Sequence, residues 1–168
     1  MTETAQQYIA RILSNSEGQD GLAVLEGTAS RLQALVTSTP AARWRERPAS
    51  GRWSAAEVLA HLADAEIVAG WRVRSILACN GIPLQAFDQD AWAEAFKYAE
   101  VDPVESLTLF AVARASLLSV LGRVDRSRLS HHGMHAERGQ ETIAHLIQLY
   151  AGHDINHLKQ IEALVRRN

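Results

Sequence analysis

The sequence predicts an all-α protein, a four-helix bundle with long connections, from three observations. Four segments, near residues 21–37, 54–79, 104–122 and 141–166, repeat apolar residues at three- and four-residue intervals, the period of an amphipathic helix. Strand-like alternation is absent over any useful length. Helix-starting residues stand where two of the periodic runs begin. Four apolar stripes bury one another most simply as a bundle.

Residues 3–14 predict a short helix with Tyr8, Ile9, Ile12 and Leu13 on one side, broken by Ser14-Asn15-Ser16-Glu17-Gly18. The run at 21–37 carries Leu22, Leu25, Ala29, Leu32 and Val36, and Pro40 ends it. Residues 43–51 have loop composition. Trp53-Ser54-Ala55-Ala56-Glu57-Val58 is a helix start: Ser54 as N-cap, Glu57 as its capping-box partner, Trp53 and Val58 as a hydrophobic staple. The helix it opens has a stripe of Val58, His61, Leu62, Ala65, Val68, Ala69 and Ile76, and Asn80-Gly81-Ile82-Pro83 ends it. A loop with a short helix near 89–98 follows. Asp102 then caps a helix with Pro103 at its first position, lined by Leu107, Phe110, Leu117, Leu118 and Leu121. Residues 123–140 read as a polar connection. The last helix carries Ile143, Leu146, Ile147, Tyr150, Ile161, Leu164 and Val165. The connections at 38–53, 80–103 and 123–140 are long for an up-down bundle, so they cap one end or cross over.

At 168 residues the chain is expected to form one domain, 1–168, large enough for a real core. Net charge is −2 and 21% of residues are charged. No basic patch suits nucleic acid, and no apolar run approaches the ~20 residues that span a bilayer. Cys79 is the one cysteine, which favours a reducing, cytoplasmic setting. Met1-Thr2-Glu3-Thr4 has no basic or apolar leader character.

The stretch Gly152-His153-Asp154-Ile155-Asn156-His157-Leu158-Lys159-Gln160-Ile161 carries the chemistry. His153 and His157 are four apart, so both point the same way from one helix, and they interrupt an apolar stripe. His61 interrupts another. Buried imidazoles need partners, and a shared metal supplies them: three protein ligands with an open position is the pattern of a catalytic site. The plain alternative is three unrelated core histidines. Imidazole ligands suit zinc, nickel, copper or iron. Because histidine must be neutral to ligate, metal should be lost as pH falls through and below the free-imidazole value of about 6.5.

Asp64 is a candidate catalytic residue, placed one turn after His61 to orient a ligand or handle a proton; a salt bridge would explain it as well. Glu57 is accounted for by capping. Asn156 and Gln160 each follow a histidine by three and could support it. His145 could line the same cavity or face solvent. His131, His132 and His135 read as loop residues, with His135 best placed to face the pocket. Arg72 and Arg74 could reach an anionic substrate, but a solvated face or an ion pair is the simpler reading. Cys79 falls near a helix C-terminus, which does not activate a thiol.

The segments Trp53-Ser54-Ala55-Ala56-Glu57-Val58-Leu59-Ala60-His61-Leu62-Ala63-Asp64-Ala65-Glu66 and His153-Asp154-Ile155-Asn156-His157-Leu158-Lys159-Gln160-Ile161, with Phe87-Asp88-Gln89-Asp90-Ala91-Trp92 between them, resemble the DinB/YfiT-like (damage-inducible) superfamily over nearly the whole chain. The resemblance implies a four-helix bundle in which His61, His153 and His157 bind a divalent metal, zinc or nickel first among the candidates. It also implies a metal-dependent thiol S-transferase acting on a small-molecule thiol and an electrophile, and a homodimer. A metal-dependent hydrolase and a non-catalytic binding module are the rival readings. The H-E-x-x-H peptidase pattern is not met, because Asp154 stands where its glutamate would be.

Overall fold

The computed structural model describes residues 3–166; Met1 and Thr2, read above as part of a stretch without leader character, lie outside the described residues, as do 167 and 168. Helices α1 (Ala5–Asn15), α2 (Gly21–Ser38), α3 (Ala41–Trp44), α4 (Ala55–Ala78), α5 (Gln89–Ala95), α6 (Pro103–Leu121) and α7 (Ile143–Val165) carry the chain. The helix starts follow side-chain chemistry. Thr4 and Gln7 form a capping box on α1, as Ser54 and Glu57 do on α4. Asp20, Asp102 and Thr142 cap α2, α6 and α7 with a side-chain oxygen, and Pro103 sits at the first position of α6.

Residue pairs give the direction of each helix in the bundle of α2, α4, α6 and α7. Arg74 near the end of α4 donates to Ser116 near the end of α6, while Asp64 in the first half of α4 meets Tyr98 just before α6 begins. The two helices therefore run the same way, and the connection from 79 to 102 crosses back over the bundle. α2 and α7 also run together: Gly21 lies against Ile147 and Gln148, and Arg31 pairs with Glu162. α4 and α7 are antiparallel, because His61 meets His153 while Arg72 meets Tyr150.

The interior has two apolar halves with a polar layer between them. One half holds Ile12, Leu25, Ile76, Leu84, Leu117 and Leu146; the other holds Leu32, Trp44, Leu59, Leu62, Phe110 and Leu158. Along α4, α6 and α7 the residues between the two halves include Glu66, Arg114, and His153 and Asp154, all buried, and His61 meets His153 from within the second half.

Two expectations need correction. The connections contain a three-stranded sheet: β1 (Ile82–Leu84) pairs in parallel with β2 (His132–His135), which pairs antiparallel with β3 (Gly139–Thr142). Strands of three or four residues are too short to show alternation. Their glycine does leave a trace: a Cβ on Gly133 would lie 2.5 Å from Leu84. Second, α6 is long and apolar enough by composition to cross a membrane, since Glu105 and Arg114 are its only charged residues. Here it packs on α4 and α2 and buries its arginine in the polar layer.

Candidate metal centre

The Ser54–Glu57 capping box starts α4 one turn before His61. The Ser54 amide donates to Glu57 at 2.8 Å, and the Glu57 amide donates to Ser54 Oγ at 3.3 Å. Arg47 also pairs with the Glu57 carboxylate, so Glu57 is fully occupied by structure. From the next turn His61 faces α7, with the Trp53 ring tilted over it at 5.3 Å between centroids. On α7, Gly152 lets α1 approach so closely that a Cβ there would fall 2.1 Å from the Ile12 carbonyl oxygen. The next residue, His153, lies about 100° further around the helix and meets His61 of α4.

The three histidines meet. His61 Nε2 lies 3.1 Å from His153 Nε2. Ring centroids are 5.1 Å apart for His61–His153, 5.0 Å for His61–His157 and 4.4 Å for His153–His157. One nitrogen from each lies within 4.8 Å of the other two. Gln160 Oε1 sits 2.9 Å from Nδ1 of His157, which holds the proton there and leaves Nε2 as a lone pair.

Burial keeps the imidazoles neutral. It pushes His61 down to about 3, with His157 adding a smaller repulsion. It holds His153 well below the usual histidine value, reinforced by His157 and His61. His157 is lowered too, by burial against an opposing pull from Gln160.

These residues fit a transition-metal ion. Two nitrogens bound at about 2.0–2.1 Å with tetrahedral angles lie roughly 3.3 Å apart, close to the His61–His153 separation. Two neutral Nε2 lone pairs facing each other at 3.1 Å otherwise need a proton between them. His61 Nδ1 is buried without a partner, so the supporting bond common around ligating histidines is present on His157 and missing on His61.

A cavity of about 340 Å³ opens beside the centre, lined by His61, His153, Tyr8, Arg72, Phe87 and Tyr150 among others. Its size is that of a small-molecule site. Arg72 corrects the solvated-face reading: it is 2% exposed and reaches the Gln85 carbonyl at 2.7 Å. His135 is buried against it, with Nε2 3.3 Å from Arg72 Nη2. Arg74 does go to a neighbouring helix, at Ser116.

The remaining candidates lie elsewhere. The Asp64 carboxylate accepts the Tyr98 hydroxyl at 2.6 Å and lines a separate hollow with Phe96 and Leu109. It does not bond His61, because its side chain leaves α4 toward α6 rather than α7. Gln160, and not Asn156, is the side chain that holds a histidine. His145 sits in the first turn of α7 and His132 in β2, both away from the cavity lining. Cys79 is exposed at the end of α4.

Sequence reasoning missed the ion cluster behind the histidines. Arg114 of α6 donates to Asp154 at 2.7 Å and to Glu66 at 2.7 Å, and also to the Leu25 carbonyl of α2 at 2.8 Å. One arginine thus ties all four bundle helices. The available signal was its position between Phe110 and Leu117, a charge on an apolar stripe.

Comparison with known proteins agrees with this architecture. A Bacillus subtilis structure described as "YfiT from Bacillus subtilis is a probable metal-dependent hydrolase with an unusual four-helix bundle topology" superposes with a TM-score of 0.81 at 21% identity, over 99% of this chain and 90% of that one. A protein of Oceanobacillus iheyensis named "Putative metal-dependent hydrolase OB0782" is 29% identical over 70% of this chain and 68% of its own. One of Geobacillus kaustophilus with the same kind of name, "Putative metal-dependent hydrolase GK0616", is 26% identical over 90% of this chain and 85% of its own. The model of the DinB superfamily matches residues 25–161, a span holding all three histidines and the four bundle helices but for the first turn of α2 and the last turn of α7, and the chain belongs to that superfamily.

Proposed function

We propose that the protein is a metal-dependent enzyme in which His61, His153 and His157 hold a divalent ion, zinc or nickel, and that it transfers a low-molecular-weight thiol to an electrophile. One observation carries the choice of thiol: no buried carboxylate is free beside the three histidines among the described residues. Asp154 is held by Arg114 and Asp64 by Tyr98. Glu3, at the cavity edge, is paired with Arg11, and Glu137 is exposed at its rim. Activating water calls for a base to manage its proton, whereas a thiol loses its proton on coordination to a metal ion. Cys79 is outside the cavity, so the thiol comes from solution. The residues themselves orient the reactants: the neutral histidines leave the +2 charge uncompensated, which favours an anionic sulfur, and Tyr8, Phe87 and Tyr150 give the cavity an aromatic wall.

The test is spectroscopic. Cobalt- or nickel-loaded protein should gain a sulfur-to-metal charge-transfer band on adding bacillithiol, mycothiol or glutathione, and turnover of an electrophile should need both thiol and metal. The relatives' names favour a second reading, hydrolysis. Cleavage of an ester or amide without thiol, with an unchanged spectrum, would establish it instead.

The same proposal places the protein in a reducing cytoplasm, working on small molecules rather than nucleic acid, as a homodimer. The outer faces of α4 and α6 expose Trp71 at 52% and Val112 at 66%, with Ile67 and Leu109 beside them in sequence register, an apolar surface suited to a second copy. Sedimentation of the wild type and of Trp71→Glu should show a dimer and a monomer respectively.

A further inference from the structure

Two arginines are buried in this bundle to the same degree, and only one has a counterion. Arg114, 2% exposed, meets two carboxylates. Arg72, also 2% exposed, meets none among the described residues. Its Nη2 donates to the Gln85 carbonyl at 2.7 Å, its Nη1 makes a long 3.4 Å contact with the Tyr150 hydroxyl, and its Nε is buried with no acceptor. The contact to His135 adds nothing to this. His135 Nδ1 accepts the Glu137 amide at 3.2 Å, so the neutral ring carries its proton on Nε2 and turns a donor toward the guanidinium. The acids around it are paired elsewhere or face solvent: Glu141 is held by Arg138 and Glu3 by Arg11, and Glu137, at the cavity rim, is exposed. A buried, unpaired cation is costly, and this one lines the same cavity as His61 and His153.

We propose that Arg72 is the anchor for a carboxylate on the small molecule that reacts at the histidine centre. Arg72 stands three turns beyond His61, about 16 Å along α4, and its long side chain lies back over the turn before it. The ligand is therefore extended, with its anion at Arg72 and its reacting end at the histidines. The guanidinium is suited to a carboxylate because its planar fork of donors matches two oxygens. Tyr150 and Tyr8 beside it provide further hydroxyl donors, and Phe87 and Leu149 provide apolar wall for the connecting carbons. The inference rests on the enzymatic reading above for the reacting end only; the anion site stands on the geometry of Arg72.

The experiment uses 3-phenylpropionate and its neutral isostere 3-phenylpropionamide, on zinc-loaded and on metal-free protein. Binding is read by calorimetry and by the ¹⁵N resonances of the arginine side chains. The acid should bind at least tenfold more tightly than the amide in both forms and should shift the Arg72 guanidinium signals. Arg72→Gln should erase that preference while zinc binding is kept, and Arg72→Lys should keep part of it. Equal binding of acid and amide, an unchanged preference in Arg72→Gln, or acid binding only to the zinc form would each overturn the proposal. Arg72 signals that ignore millimolar acid would do so as well, without any variant having to fold. Failure of added zinc to bind at the histidines, with the Arg72 response intact, would instead remove the metal reading and leave the anion site standing.

Discussion

The side-chain oxygen of Gln160 lies 2.9 Å from Nδ1 of His157, one turn along the same helix. A neutral imidazole carries one proton, so this bond fixes it on Nδ1 and turns the Nε2 lone pair toward His61 and His153. Removing such a supporting partner typically costs 10–100-fold in metal affinity. Gln160→Leu should therefore weaken zinc binding by roughly tenfold or more, measured by calorimetric titration. His61→Ala, His153→Ala and His157→Ala should each do far worse, and His132→Ala should change nothing. Equal losses from His132→Ala would mean that zinc binds elsewhere.

Acid should expose the same chemistry in the metal-free protein. The three imidazoles are held below their ordinary value of about 6.5, His61 as low as about 3. Below pH 6.5 the unfolded chain therefore takes up protons that the native state refuses, and stability falls as pH falls. The native state is unpenalised above pH 6.5 and loses stability steadily toward pH 3. Thermal melts between pH 7.5 and 4.5 should show that loss, and His61→Gln should flatten it. The same burial lowers the pH at which protons displace metal, so zinc should stay bound somewhat below the free-imidazole value that the sequence alone suggested. A melting curve whose pH slope is the same in His61→Gln would show that His61 is not held neutral.

Gly152 should be intolerant of alanine. A Cβ would meet Ile12 backbone atoms at 2.1 and 2.9 Å, and backbone cannot rotate away as a side chain can. Alanine favours a helix by roughly 1 kcal/mol over glycine, but overpacking of this kind costs about 1–3 kcal/mol, and the clash is with a main-chain oxygen. Gly152→Ala should lower the melting temperature and detach α1, seen as faster amide exchange over residues 5–15. Because Tyr8 on α1 lines the cavity, ligand binding should weaken too. A variant as stable as wild type with α1 protected would refute the close-approach argument.

The periodic signal that makes the helices legible also explains what stayed hidden. His61, His153 and His157 could be foreseen to meet because each interrupts an apolar stripe, and stripes face the core. Arg72 interrupts a stripe as well, three residues after Ala69, yet its type argues for solvent; burial of an arginine depends on a cavity that only tertiary packing creates. Asp64 shares the His61 face by spacing but is claimed by Tyr98, which arrives from a crossover the local pattern does not encode. The strand pairing of Leu84 with His135 joins segments far apart in sequence, each too short to carry a period.

Arg114 joins all four bundle helices. Its guanidinium stacks over the Phe110 ring at 4.7 Å and bonds Glu66, Asp154 and the Leu25 carbonyl, so two acids share one cation. Burial raises the Glu66 carboxyl above its usual range, against the pull of Arg114, and its second oxygen has no partner. Glu66 is thus the member that can do without its charge. Glu66→Gln keeps an oxygen to accept from Arg114 and should cost little, under about 1.5 kcal/mol, the worth of one ordinary hydrogen bond. Arg114→Met leaves Asp154 buried and unpaired and should cost about 3–5 kcal/mol. Since Asp154 adjoins His153, zinc affinity should fall with it. Urea unfolding of both variants, with zinc titration alongside, measures the difference. If Glu66→Gln is as damaging as Arg114→Met, both carboxylates are charged in the native state and the cluster carries a net negative charge behind the histidines.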